Sequence, residues 1–244
     1  MISPEHLIKP DWPAPANVKA FQTTRLGGVS AVPYDTLNLG GHVGDAPLAV
    51  ARNRNLLNPL LPSEPVWMSQ VHGTAVVNAD LAGCQPFGDI CIARQRNSVC
   101  VVMTADCLPL LLCDTAGSVV AAVHAGWKGL AAGVIEAAVH ETGVPPQTLL
   151  AWLGPAISQQ YFEVGSDVRD AFAAADAQAA AAFVVGAPGK WFADLYALAR
   201  LRLNALGITQ IYGGDHCTYR ERDRFFSYRR DGATGRMGTF IWRE

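Results

Sequence analysis

One apolar hairpin constrains the fold more than any other feature of this sequence. Residues 101–129 read VVMTADCLPLLLCDTAGSVVAAVHAGWKG. The apolar run Leu108–Cys113 and the β-rich run Val119–Val123 flank the segment Asp114–Gly117. Aspartate bonds its own backbone and glycine accepts positive φ, so this segment is typical of a turn. The stretch therefore predicts two antiparallel strands joined by a short loop.

The hairpin brings together the two most reactive side chains of the stretch. If the turn is centred on the Thr115–Ala116 step, Cys107 lies opposite His124. Directly opposed residues share a sheet face, with Cβ atoms roughly 4.5 to 5.5 Å apart. Pro109 cannot donate a ladder hydrogen bond, so we expect the pairing to loosen just before Cys107. The sequence thus predicts that a thiol and an imidazole are neighbours.

Length and composition limit the classes of protein that the chain can represent. It has 244 residues, of which 50% are hydrophobic and 16% are charged, which favours a compact protein with a large core. No Gly/Ser-rich, Pro-rich or like-charge run indicates a linker, so we predict one domain over residues 1–244. The net charge of −2 gives no overall attraction to nucleic acid or anionic membrane. Without an apolar signal or spanning segment, a cytoplasmic location is expected.

The cysteine pattern indicates reduced thiols. The chain has six cysteines and no secretion signal, a context in which disulfides are uncommon. Cys91, Cys100 and Cys113 lie in apolar runs and are expected to pack as small hydrophobic side chains. The same expectation extends to Cys84 and Cys217.

Apolar periodicity predicts strands that alternate irregularly with helices. Strands are expected near residues 17–24, 98–104 and 149–153, and helices near 130–142, 166–183 and 192–206. Several neighbouring strands are separated only by short turns. The pattern therefore predicts an α+β fold, a single-domain layered structure with mixed, largely hairpin-connected β-sheets flanked by helices.

Three loops outside the hairpin carry candidate binding residues. In Arg25-Leu-Gly-Gly28 the backbone N–H groups could face an anion while Arg25 supplies positive charge, although an ordinary tight turn is the simpler explanation. His42 lies in a glycine-rich loop and is expected to be exposed. His72 follows a predicted strand and precedes a glycine. It is either an ordinary turn histidine or a third partner of the hairpin pair.

The C-terminal segment is rich in arginine. Six arginines occur between Arg220 and Arg236, partly offset by acids and interleaved with aromatic residues. Guanidinium groups beside aromatic faces suit a planar base and a phosphate. The alternative is a solvated charged loop with Phe225 and Phe226 in the core.

A cysteine beside histidine supports two chemistries. In one, His124 lowers the thiol pKa and Cys107 is a nucleophile, with Asp106 or another acid orienting the histidine. In the other, His72, Cys107 and His124 hold a zinc ion that keeps one position open for water. No CxxC or HExxH spacing is present. Residue chemistry alone leaves both alternatives open.

Six motifs occur in order along the chain: QVHG at 70–73, TADC at 104–107, VHAGWKG at 123–129, GPAI at 154–157, FEVG at 162–165, and FSYRRD at 226–231 with TGR at 234–236. Together with RLGG at 25–28 they closely resemble the family once labelled polyphenol oxidase or laccase-domain proteins. Its members are regarded as purine nucleoside phosphorylases of broad activity. The resemblance implies that His72, Cys107 and His124 bind a catalytic Zn²⁺.

The resemblance also implies the substrates, namely purine nucleosides and phosphate. The implied reactions are phosphorolysis of adenosine, inosine and guanosine, phosphorolysis of methylthioadenosine, and hydrolytic deamination of adenosine. Asp106 and Glu163 are the candidate proton carriers beside the substrate. Arg25, Arg229 and Arg230 are the candidate phosphate or ribose contacts.

Two other functions remain as alternatives. Similar bacterial proteins have been linked to editing of peptidoglycan precursors, which would make the chain a cysteine-dependent hydrolase. A binding module without catalysis would leave the reactive residues unexplained. The older copper oxidase label fits poorly, because the chain has six histidines and none forms an H-x-H pair.

Overall fold

A computed structural model describes residues 2–83 and 85–244, so the expectation for Cys84 lies outside the described residues. The strands in chain order are β1 Leu7–Ile8, β2 Val18–Thr23, β3 Val76–Asn78, β4 Ile90–Ala93, β5 Cys100–Thr104, β6 Leu108–Asp114, β7 Val120–Ala125, β8 Leu149–Leu153, β9 Glu163–Gly165, β10 Phe183–Val185, β11 Lys190–Ala193, β12 Gln210–Gly213 and β13 Met237–Arg243. The helices are α1 Pro47–Asn55, α2 Trp127–Ala132, α3 Val134–Thr142, α4 Ser166–Ala175, α5 Leu195–Ala205 and α6 Tyr228–Asp231.

The strands form three sheets. The largest has the order β12-β8-β6-β7-β4-β3 and is mixed, because β12 runs parallel to β8 and β3 runs parallel to β4. A four-stranded antiparallel sheet has the order β1-β2-β13-β5, and a small antiparallel sheet has the order β10-β11-β9. The predicted α+β layered fold is confirmed.

The six-stranded sheet is buried on both faces, which explains why its central strands are apolar throughout. Leu110 and Leu112 of β6 pack on the side of helices α2, α3 and α5. Leu111 and Cys113 point the other way and pack with residues of the four-stranded sheet, such as Val102. Strands covered on both faces are expected to lose the alternation of polar and apolar residues.

The predicted hairpin exists, but its predicted register is wrong by two residues. Pro109, not Cys107, lies opposite His124. The loop is longer than expected because the Asp114 carboxylate accepts hydrogen bonds from the backbone N–H groups of Ser118 and Val119, at 2.6 and 3.0 Å. An offset of two residues leaves each side chain on its original sheet face. The predicted proximity of Cys107 and His124 therefore survives the error.

Three predicted helices differ from those observed. The helix expected at 130–142 is two helices, α2 and α3, which meet at Gly133 with φ +92°. The helix expected at 166–183 ends at Ala175, where Asp176 takes an extended conformation. The helix expected at 192–206 begins at Leu195, because the preceding residues form β11 and Asp194 caps the helix by accepting from the backbone N–H of Ala197.

The cysteines that the structure describes are free thiols, and four of them are buried: Cys91, Cys100, Cys113 and Cys217. The expectation that they pack as small apolar side chains is confirmed for Cys91, Cys100 and Cys113. Cys217 differs, because its Sγ accepts hydrogen bonds from Ser158 and from the backbone N–H of Arg220. Among the described residues, no helix combines the length and apolar character that a membrane span requires.

Candidate active site

Three ligand-type side chains converge at the end of the central hairpin. His72 lies in the loop before β3, Cys107 lies between β5 and β6, and His124 lies in β7. Their ligand atoms all lie within 4.8 Å of one another, and Cys107 Sγ is 3.9 Å from His72 Nε2. His72 is exposed, Cys107 is partly exposed and His124 is buried, so the cluster opens to solvent on the His72 side.

Asp89 holds two members of the cluster in place. Its Oδ1 lies 2.7 Å from His124 Nδ1 and accepts from the backbone N–H of His72 at 2.9 Å. Its Oδ2 accepts from the backbone N–H groups of Val71 and Gly73. The Nδ1 contact leaves Nε2 of His124 as its ligand atom. Carboxylates in this position fix the orientation and tautomer of metal-binding histidines.

The backbone around the cluster has unusual conformations. His72 has φ +61° and Asp106, next to Cys107, has φ +93°, both uncommon for residues with a side chain. Gly126 leaves the space that the ligands occupy, since a Cβ there would lie 3.0 Å from Cys107 Sγ and 3.0 Å from His72 Cδ2. Residues held in such conformations are concentrated at functional sites.

The electrostatics of the cluster favour a thiolate. Burial alone would raise the pKa of Cys107, but the charge and hydrogen bonding of His124, followed by those of His72, lower it to about 6. Burial alone would lower the pKa of His124, but Cys107 and Asp89 raise it to about 9. Without a metal, Cys107 and His124 thus form a thiolate–imidazolium pair near neutral pH.

The donor set fits a transition-metal ion. A thiolate and two imidazoles are ligands that Zn²⁺ prefers, and three protein ligands are the number found in catalytic zinc sites. The carboxylate of Asp89 behind His124 is the supporting partner that such sites use. His72, Cys107 and His124 could therefore hold a metal ion.

A cavity of about 330 Å³ opens on one side of the cluster, and we call it the aromatic cavity. Its walls include His72, Ala105, Asp106, Cys107, Trp127, Lys128, Ile157, Phe162, Leu195, Tyr228 and Arg229. Flat aromatic and apolar walls with a few polar groups suit a planar ligand with polar edges.

A second cavity, of about 360 Å³, adjoins the cluster, and we call it the arginine cavity. Its walls include His42, Gln70, His72, Met103, Thr104, Ala105, Cys107, His124, Tyr228 and Arg236. Four residues line both cavities, namely His72, Ala105, Cys107 and Tyr228. The cluster thus lies between two spaces of different chemical character.

Two candidates from the sequence line the aromatic cavity beside the cluster. Asp106 lies in the wall of the aromatic cavity, where its carboxylate accepts from Thr218 Oγ1 and from the backbone N–H of Arg229, both at 2.6 Å. The Arg229 guanidinium lies 5.1 Å from the centre of the Phe162 ring and donates to the Glu163 carbonyl oxygen. Glu163 itself is exposed and reaches the site through that backbone oxygen.

Two other candidates lie apart from both cavities. Arg230 donates to the carbonyl oxygens of Thr218, Tyr219 and Phe225 and pairs with Asp231 at 2.7 Å. Arg25 pairs with Asp35 at 3.2 Å. It lines a third and larger cavity of about 630 Å³, which shares no wall residue with the other two. Although this cavity is the larger one, the His72, Cys107 and His124 cluster does not line it, so its size alone is no evidence of function.

The sequence did not single out Asp89 or Arg236 as site residues. Asp89 is an isolated aspartate before a strand, and nothing in its local pattern shows that it contacts His124. Arg236 belongs to the TGR motif at 234–236, which was a usable signal.

Comparisons with known proteins identify the family of the chain. A family model described as multi-copper polyphenol oxidoreductase laccase matches residues 19–244. The chain belongs to this family. A relative from Pseudomonas aeruginosa named purine nucleoside phosphorylase is 53% identical over 96% of this chain and 97% of its own length. A relative from Escherichia coli, named purine nucleoside phosphorylase YfiH, is also 53% identical, over 97% and 98% of the two chains.

Solved structures of similar proteins share the fold. The crystal structure of a Neisseria meningitidis protein superimposes with a TM-score of 0.94 at 53% identity and covers 98% of this chain and 99% of that one. The structure of YlmD from Geobacillus stearothermophilus gives a TM-score of 0.91 at 29% identity, covering 100% of this chain and 98% of that one. The family resemblance inferred from the motifs is confirmed.

Proposed function

We propose that this laccase-family chain is a purine nucleoside phosphorylase with a zinc site formed by His72, Cys107 and His124. The observation that carries the proposal is the position of this three-donor cluster beside the aromatic cavity, whose wall includes His72 and Cys107. The names of the Pseudomonas aeruginosa and Escherichia coli relatives support the same activity. We further propose that residues 1–244 act as one domain in the cytoplasm.

The proposed reactions are those that the family resemblance implies. They comprise phosphorolysis of adenosine, inosine, guanosine and methylthioadenosine, together with hydrolytic deamination of adenosine. When bound, zinc would supply Lewis acidity beside the substrate. Trp127, Phe162 and Tyr228 offer aromatic faces for the purine.

The polar residues of the aromatic cavity would orient the nucleoside. Arg229 is exposed and would donate to phosphate or ribose oxygens. Asp106 is held by Thr218 and by the backbone of Arg229, and we propose that it accepts or returns a proton. Glu163, the second proposed proton carrier, is tied to Arg229 through its carbonyl oxygen.

Arg230 and Arg25 enter the proposal as positioning residues. Arg230 bonds three carbonyl oxygens and thereby supports the segment that carries Tyr228 and Arg229. Arg25 lies over the Phe226 ring at 4.8 Å and thereby contacts the same segment. Contact of either side chain with phosphate would require it to leave its present acidic partner.

Incubation with adenosine, with and without phosphate, tests the proposal. Adenine and ribose 1-phosphate formed only with phosphate would support phosphorolysis, and inosine formed in either condition would support deamination. Full activity of a metal-free preparation would reject the zinc site. Failure to convert any purine nucleoside would reject the phosphorylase.

A second candidate function is a cysteine-dependent hydrolase that edits peptidoglycan precursors. The observation that favours it is the Cys107 thiol, whose pKa is lowered to about 6 and which lies 3.9 Å from His72 Nε2. Alkylation of Cys107 distinguishes the candidates. Turnover of a peptidoglycan precursor by metal-free protein, abolished by alkylation, would favour the hydrolase over the phosphorylase.

A further inference from the structure

Arg236 is a partly buried cation without an acidic partner. Its Nη1 donates to the carbonyl oxygens of Thr234 and Gly235, both at 3.0 Å. In the part of the chain that the structure describes, no carboxylate lies within ion-pair distance of its guanidinium, and no protein acceptor takes a bond from its Nε or Nη2. Arg25 and Arg230, by contrast, each pair with an aspartate.

The negative charges near Arg236 do not fully offset the cost of burying its guanidinium. Burial lowers the pKa of Arg236, although the charges of Cys107 and Asp106 act to raise it. A metal ion bound to the Cys107 thiolate would neutralise one of these two negative charges. A partly buried guanidinium whose Nε and Nη2 have no protein acceptor is stabilised by an anion that accepts from both nitrogens.

The fold provides space for such an anion and holds the arginine towards it. Arg236 lines the arginine cavity, and its backbone N–H donates to Asn38 Oδ1. Gly40 makes room for the side chain, since a Cβ at Gly40 would lie 2.8 Å from Arg236 Cγ. Thr104 lines the same cavity, is 1% exposed, and has an Oγ1 with no hydrogen-bond partner among the described residues. A buried hydroxyl without a protein partner bonds a water molecule or a bound group.

We propose that Arg236 binds inorganic phosphate in the arginine cavity while the purine nucleoside occupies the aromatic cavity. This inference rests on the proposed phosphorylase function. The two cavities share His72, Ala105, Cys107 and Tyr228, so ligands in them meet at the metal-type cluster. The Arg236 guanidinium lies 5.9 Å from the centre of the Tyr228 ring, at this shared wall.

The arrangement suits displacement at the ribose C1′ atom. A phosphate oxygen forms a bond to C1′ while the bond between C1′ and the purine N9 breaks and leaves its electron pair on N9. The proton of the hydrogen phosphate ion passes to the purine, which gives free purine and ribose 1-phosphate. Nucleophile and leaving group then lie on different sides of the ribose. A guanidinium fork would orient the phosphate as well as attract it.

Kinetics of Arg236→Met and Arg236→Lys, each compared with the exposed-site control Arg220→Met, test the assignment. We expect the KM for phosphate to rise about 10- to 100-fold in Arg236→Met, as for loss of hydrogen bonds to a charged group. The KM for nucleoside and the zinc content should stay near those of the wild type. Arg236→Lys keeps the charge without the fork and should show a smaller rise. An unchanged KM for phosphate in Arg236→Met, or an equal rise in Arg220→Met, would overturn the proposal.

Calorimetric titration with inorganic phosphate separates this inference from the proposed function. If the wild type forms no ribose 1-phosphate, the phosphorylase proposal fails, but the titration still decides the role of Arg236. Phosphate binding by the wild type that is lost in Arg236→Met supports the assignment. Absence of binding by the wild type, or equal binding by both, overturns it.

Gly40→Ala is a second test of the proposal, to be used if loss of the Nη1 hydrogen bonds prevents Arg236→Met from folding. The added methyl group displaces the arginine and keeps its charge. It should weaken phosphate binding without reducing the zinc content. Unchanged phosphate binding in a folded Gly40→Ala variant would contradict the proposal.

Discussion

Asp89 Oδ1 lies 2.7 Å from His124 Nδ1 and also accepts a hydrogen bond from the backbone N–H of His72. One fully buried carboxylate therefore orients two of the three donors, although they come from separate elements of the chain. Burial would raise the pKa of Asp89, but the hydrogen bonds from His124, Gly73 and His72 outweigh it and hold the pKa below its ordinary value. The cluster depends on a residue that binds no metal itself.

Replacement of this carboxylate should weaken metal binding. Asp89→Asn keeps the shape of the side chain, but its NH₂ group would face a backbone N–H that now donates to an oxygen. We expect zinc affinity to fall about 10- to 100-fold, as for loss of a supporting ligand. The free energy of unfolding should fall by about 2 to 4 kcal/mol. Competition with a chelator measures the first change and denaturant titration the second.

Asp114→Asn is the matched control for this variant. Asp114 is also buried, and its carboxylate also accepts from two backbone N–H groups, but it lies at the end of β6, where the hairpin loop begins. It should lose stability without losing zinc affinity. Equal zinc affinities for the Asp89 variant and the wild type would show that Asp89 has only a structural role.

The exposed histidine of the cluster allows a cleaner test of the metal site. His72→Ala removes one of three donors at an exposed position, so the free energy of unfolding should change by less than about 0.5 kcal/mol. Zinc content by elemental analysis should fall from about one ion per chain to near zero. The control is His140→Ala, since His140 is exposed on α3. Full zinc content in the His72 variant would contradict the assignment of this residue.

Much of the fold follows from local patterns, and the failures have physical causes. Apolar runs located β5, β6, β7 and β8, because strands buried on both faces carry a strong signal. The hairpin register failed because the Asp114 side chain builds a longer loop than a minimal turn. The parallel pairing of β12 with β8 joins distant segments, and local periodicity carries no information about such pairs.

The site was only partly predictable for a similar reason. Proximity of Cys107 and His124 followed from the hairpin, whereas the inclusion of His72 needed the family resemblance. The arginines near the C-terminus look alike in sequence. Arg230 is occupied by protein acceptors and Arg236 keeps free donors, and this distinction depends on which distant groups the fold brings to each guanidinium.

Zinc binding should release protons, and the shifted pKa values of Cys107 and His124 determine how many. In the metal-free chain the pKa of Cys107 is about 6 and that of His124 is about 9. At about pH 7.5 the thiol is already ionised, whereas His124 must lose a proton to bind metal. Zinc binding should therefore release about one proton there, and affinity should rise about tenfold per pH unit until His124 is neutral. Calorimetric titration in buffers of different ionisation enthalpy counts the protons. A count near zero would contradict the thiolate–imidazolium pair.

The space left by Gly126 should be essential to the metal site. Gly126 has φ −66° and ψ 160°, which alanine adopts without strain, so Gly126→Ala adds only a methyl group. That group would lie 3.0 Å from both Cys107 Sγ and His72 Cδ2 and would push these ligands apart. Metal sites tolerate small changes in ligand distance poorly, so we expect zinc affinity to fall by about tenfold or more. The control is Gly83→Ala, since no described atom lies within 4 Å of a Cβ built there. Chelator competition on both variants decides the matter, because equal zinc affinities would show that the cluster can rearrange around the methyl group.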